Sequence, residues 1–100
     1  MRIFFIKATI AFLDNLDLKD RARVDRTKEL FEKYGFQIGS EYIKKIRNSL
    51  WELRAGKIRI FICIKEDFAY GVHVIYKKTQ KLPKKEIKLS IKRCQQYENR

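Results

Sequence analysis

One hundred residues, 45% hydrophobic and 13% aromatic, suffice for a single domain spanning residues 1–100 with a modest core, and exclude a disordered chain. Lys and Arg number 24 against 12 Asp and Glu, a formal charge of +12, which points to a polyanionic partner: RNA or DNA first, an acidic protein second. No stretch approaches the roughly 20 apolar residues of a membrane helix. Lys7 interrupts the apolar N-terminal run, and no small-residue cleavage site of a signal peptide follows it. One histidine and two cysteines outside any CxxC spacing build no zinc site. The expectation is a cytoplasmic protein with Cys63 and Cys94 as reduced thiols, no metal and no small-molecule cofactor.

In chain order, residues 2–6 hold two phenylalanines and two isoleucines and fit a strand of the same sheet as the later strands. Thr9 is a plausible cap for a helix to about residue 16, with Ile10, Leu13 and Leu16 on its buried face. Asp17 is the expected cap of a longer helix over residues 18–34. There Val24, Thr27, Leu30, Phe31 and Tyr34 recur at helical spacing, while Arg21, Arg23, Arg26 and Lys28 read as a solvated basic face. Gly35 is its stop signal. Residues 37–49 read as a loop, with an extended piece at 42–46. After Pro83 the chain turns helical, favoured by Glu86 near the start and carrying a narrow apolar stripe of Ile87, Ile91 and Cys94. The sum is an α+β fold.

The stretch LWELRAGKIRIFICIKEDFAYGVHVIYKKTQKLP, from Leu50 to Pro83, predicts three antiparallel strands. A two-residue turn at Gly56 and Lys57 pairs Arg54 with Arg59, Leu53 with Ile60, Glu52 with Phe61 and Trp51 with Ile62. This register collects Trp51, Leu53, Ile58, Ile60, Ile62 and Ile64 on one apolar face. A loop of Glu66, Asp67 and Phe68 would bring Val72, Val74 and Tyr76 to the same face, with His73 opposite Phe61 and Ile75 opposite Arg59. The other face, expected to be open, then holds Glu52, Arg54, Arg59, Phe61, Cys63, His73, Ile75 and Lys77, with Lys78 and Lys81 just beyond. Cations around an aromatic ring suit single-stranded nucleic acid. A polar face on a half-exposed sheet is also routine, and Glu52 two residues from Arg54 can be a same-face ion pair that restrains the arginine.

LWELR, then RIF on the next strand, then HVIYKKTQKLPKKEI resembles the HigB-type branch of the RelE/ParE toxin superfamily. FLDNL and KDRARV resemble the N-terminal helices of that family. The resemblance implies a RelE-like fold: two N-terminal helices on a small, mainly antiparallel sheet of about four strands, plus a C-terminal helix. It also implies a type II toxin that cuts mRNA on the ribosome, neutralised by a separately encoded, HigA-type helix-turn-helix antitoxin. ParE proteins of the same superfamily poison DNA gyrase instead, and an inactive relative would only hold RNA or its antitoxin.

By the same resemblance, Arg59 matches the strand arginine that acts on the scissile phosphate. Lys77, Lys78 and Lys81 match the basic run where relatives place catalytic or phosphate-binding cations, and His73 matches a frequent family histidine. No tyrosine follows Tyr76 until Tyr97, a departure from RelE's own branch. Cleavage of this kind uses the substrate's 2′-hydroxyl, so the protein must stabilise charge on phosphorus and move two protons. Arg59 suits the charge; Lys77, Lys78 or His73 is a candidate for the proton transfers. Arg54, Lys57, Phe61, Lys81, Lys84 and Lys85 are the candidate RNA-binding residues.

Overall fold

The computed structural model describes residues 1–78 and 81–98. Strand β1 (Arg2–Phe5) leads into helices α1 (Lys7–Asp14) and α2 (Leu18–Tyr34) and a short 3₁₀ turn (Gly35–Ile38). Strands β2 (Ile43–Arg47), β3 (Leu50–Ala55), β4 (Ile58–Lys65) and β5 (Phe68–Tyr76) follow, and helix α3 (Lys84–Glu98) ends the chain. The five strands form one sheet in the order β1-β5-β4-β3-β2, antiparallel except where β1 runs parallel to β5. The fold is α+β as expected, with one strand more than anticipated because the extended piece expected at residues 42–46 is a strand, Ile43–Arg47, that pairs with β3.

The β3–β4 hairpin has the expected register at every predicted pair, with Gly56 at φ +62° in the turn. Gly is suited to that position because a Cβ would be strained at positive φ. The β4–β5 hairpin differs. Lys65 pairs with Phe68 across a two-residue turn at Glu66 and Asp67, with Glu66 at φ +54°. A bulge in β5 then takes up the odd residue, so His73 still faces Phe61 and Ile75 still faces Arg59. The bulge also carries Val72 to the face opposite the isoleucines, where it packs with Phe61 and Cys63.

Both faces of the sheet are covered. Helices α1 and α2 pack Leu13, Val24 and Phe31 against Leu53, Ile58, Ile60 and Ile62. Helix α3 packs Ile87, Ile91 and Cys94 against Leu50, Phe61, Cys63 and Val72. The face expected to be open is therefore a second core. Its cause is legible in hindsight: an apolar stripe on α3 needs a partner surface, and α1 and α2 already occupy the isoleucine side.

Asp17 caps α2 through the Asp20 N–H, as predicted. Thr9 does not cap α1: the helix starts at Lys7, and the buried Thr9 hydroxyl donates to the Ile6 carbonyl (2.8 Å). The buried face of α1 runs through Thr9 and Leu13, four apart, which leaves Ile10 41% exposed while Leu13 and Leu16 are buried as expected.

Glu32 of α2 ties down the edge strand, accepting from the Ile3 N–H (2.9 Å) and from Lys28 Nζ (3.1 Å). Burial alone would raise its pKa, but the Ile3 N–H, Lys28 and Arg2 outweigh that and hold the carboxyl below its ordinary range. Its pKa is thus lower folded than unfolded, so its contribution is present above the unfolded carboxylate range and is lost as pH falls through the folded value. Glu32→Gln is expected to cost about 1 kcal/mol at neutral pH, with the difference from the parent closing below about pH 4. Urea unfolding across that range checks it.

Candidate nucleic-acid interface

Helix α3 lies over β5, β4 and part of β3, held there by a disulfide and by polar contacts that include Lys65 Nζ donating to the Tyr97 carbonyl (3.0 Å). Cys63 and Cys94 form a disulfide from β4 to α3. The expectation of two reduced thiols is corrected by this pairing, which spans 31 residues and brings together a strand and a helix whose faces the sequence alone does not align. Arg93 Nη1 donates to the Val72 carbonyl (2.9 Å) and to His73 Nδ1 (3.2 Å). With Nδ1 accepting, the proton of neutral His73 sits on Nε2, which donates to Glu86 Oε2. His73 is thus clamped between two residues of α3 instead of standing on an open face.

Phe61, also expected on an open face, is fully buried and stacks on His73 at 5.8 Å between centroids. It supports the seat of α3, so it is not a platform for a base.

Toward the β2 edge, α3 and the sheet part to leave a cleft of about 650 Å³. Lys44 and Arg47 come from β2, Arg54 from β3, Lys77 from just past the end of β5, and Lys81, Lys84 and Lys88 from the connection and α3. Strand alternation puts Lys44 opposite Glu52, on the α3 side of the sheet, and a spacing of four puts Lys84 and Lys88 on one face of α3. Ile46, Leu82, Ile87 and Ile91 give the cleft an apolar lining. Among the described residues its one carboxylate is Glu52, only 1% exposed, which accepts from Arg54 Nε at 2.8 Å. Seven cations around a single carboxylate make a strongly positive concavity, where low-dielectric walls concentrate the field.

The predicted site residues divide among several places. Arg54, Lys77, Lys81 and Lys84 meet in this cleft. Lys78 and Lys85 line a second groove, about 410 Å³, with Ile75, Pro83 and Glu86; Lys77 borders both. Lys57 is exposed in the β3–β4 turn. Thr79 and Gln80, within the quoted KKTQK motif, lie outside the described residues.

Arg59 turns back on its own hairpin. Its Nη1 donates to the carbonyls of Gly56 (2.6 Å) and Ile58 (3.1 Å), and its side chain is 14% exposed. Burial pushes its pKa down, partly offset by Glu52 and reinforced by Arg54. Arg54 therefore presents a guanidinium to the cleft and Arg59 does not. Lys44, Arg47 and Lys88 were missed as site residues, because they join the cleft only once β2 is paired and α3 is seated.

No curated protein matches the chain in sequence. Among solved structures, a chain of "Crystal Structure of RelB-RelE antitoxin-toxin complex from Methanococcus jannaschii" is similar in fold, with a TM-score of 0.62 and 21% identity. The match covers 80% of this chain and 99% of that one. The family described as "Phage derived protein Gp49-like (DUF891)" matches residues 11–95, from the first helix through most of α3. With the match extending over the hairpins, the cleft and the helix that walls it, this chain belongs to the Gp49-like family.

Proposed function

We propose that this protein is the toxin of a HigB-type toxin–antitoxin pair, a cytoplasmic endoribonuclease that cuts mRNA on the ribosome and so inhibits translation. The observation that carries the proposal is the cleft between β2, β3 and α3, where seven Lys and Arg side chains surround one buried carboxylate. A RelE-like fold and an RNA-sized positive concavity favour a nucleic-acid target. A separately encoded helix-turn-helix antitoxin is the proposed protein partner; the similar structure comes from an antitoxin–toxin complex.

In this reading the substrate's own 2′-hydroxyl attacks the adjacent phosphate, leaving a cyclic phosphate and a 5′-hydroxyl. Arg54 and Lys77 face the cleft and stabilise the added charge on phosphorus. Lys78 and Lys85 border the neighbouring groove and guide the strand beyond the cut. Arg59 Nη1 is held by the Gly56 and Ile58 carbonyls on a side chain only 14% exposed, and His73 lies between Glu86 and Arg93, so both act through the fold in the first instance.

Inducible expression tests this directly. The parent is expected to arrest growth and to leave transcripts cut within translated codons, while Arg54→Ala and Lys77→Ala relieve the arrest. If both variants stay as toxic as the parent, the cleft is not the active site. Gyrase–DNA breaks without transcript cuts would favour a ParE-like poison, and RNA binding without either would favour an inactive binding module.

A further inference from the structure

We infer that Glu52 is a positioning residue, which holds Arg54 in the orientation that receives an RNA phosphate in the cleft. The inference rests on the RNA reading above and adds a role for the one carboxylate among the cleft's described residues.

Glu52 sits in the middle of β3 between the apolar Leu50 and Leu53, across from the fully buried Phe61. An ionised carboxylate at such a position is costly unless it is paired, and a well-packed apolar residue there is often no less stable. The pairing it makes is uneven. Its Oε1 accepts from Arg54 Nε at 2.8 Å. Its Oε2 is buried without a hydrogen-bond partner and lies 4.0 Å from Arg59 Nε, itself unpartnered.

The two arginines spend their remaining donors differently. Arg59 gives Nη1 to the turn carbonyls. Arg54 is fixed through Nε alone, is 29% exposed, and has no further hydrogen bond among the described residues, so its terminal nitrogens remain for the cleft. A guanidinium already held in place loses less freedom when it binds, and its planar fork matches phosphate oxygens.

The sign of the effect separates positioning from mere charge. Glu52→Gln removes a negative charge from a site for a polyanion, so electrostatics alone would tighten RNA binding. If Glu52 positions Arg54, the same change weakens binding, by about tenfold, the size of one charge-assisted hydrogen bond. The probe is a fluorescein-labelled single-stranded RNA of about ten nucleotides, within the usual span of such sites, followed by fluorescence anisotropy on the full chain.

Weaker binding by Glu52→Gln in the parent, and no weakening by the same change in an Arg54→Ala background, is the expected result; that non-additivity is the signature of two residues acting as one. Arg54→Lys keeps the charge and does not depend on how Glu52→Gln folds. It is expected to bind several-fold more weakly, because a lysine has neither the fork nor an Nε for Glu52. Equal or tighter binding by Glu52→Gln, or parent-like binding by Arg54→Lys, overturns the positioning role while leaving the RNA reading intact. Failure of the unaltered protein to bind the RNA overturns both.

Discussion

Thermal unfolding in dithiothreitol is expected about 15–25 °C below that of the oxidised protein, the largest stability effect the fold predicts. The Cys63–Cys94 bond closes a loop of 31 residues in sequence. Restricting the unfolded chain across a loop of that length contributes about 3–4 kcal/mol by the chain-entropy relation. For a domain this small, each kcal/mol moves the midpoint by about 4–8 °C. Cys63→Ser and Cys94→Ser are each expected to reproduce the reduced midpoint and to become insensitive to reductant. A parent whose midpoint does not move on reduction would show that the bridge adds nothing. The consequence extends to the site, because α3 supplies Lys84, Ile87, Lys88 and Ile91 to the cleft. Amide exchange in α3 is expected to rise first on reduction, since its other polar tethers to the sheet among the described residues are the His73–Glu86 contact, Arg93 and the Lys65 bond to the Tyr97 carbonyl.

What was legible in the sequence follows from the range of the interaction concerned. The β3–β4 register was legible because strand alternation and a glycine turn are local, and only one register keeps Trp51, Leu53 and the isoleucines together. The β5 bulge was not, since a three-residue loop and a two-residue turn with a bulge give the same partners for His73 and Ile75. They differ in the partners of residues 68–71 and in where Tyr70 and Val72 point, both of which the bulge sends to the Phe61 and Cys63 side. The amphipathic stripe of α3 was legible, but not the surface it would meet, and that one step changed the reading of Phe61, His73, Cys63 and Cys94 together. Arg54 and Arg59 look equivalent by alternation. What distinguishes them is which donors the hairpin turn consumes, and that depends on carbonyl directions no pattern encodes.

RNA affinity is expected to fall about 100-fold between 50 and 200 mM monovalent salt, with the loss concentrated in the cleft residues. Single-stranded nucleic acid releases counterions with a slope of about −0.7 per phosphate neutralised. Seven cations line the cleft; if about five of them each neutralise a phosphate, the slope is about −3.5, and a fourfold rise in salt costs about two orders of magnitude. Lys77→Ala and Lys88→Ala should each weaken binding and flatten the slope by about 0.7. Lys19→Ala provides the contrast: it removes the same charge from an exposed position on α2, across the sheet from α3. At 200 mM salt, with a Debye length of about 8 Å or less, a charge on the far layer is screened from the cleft and should leave the slope unchanged. If Lys19→Ala and Lys77→Ala flatten it equally, binding follows net charge over the whole surface. A difference between them locates the phosphates in the cleft, where the apolar walls of Ile46, Leu82 and Ile91 give a base somewhere to rest beside them.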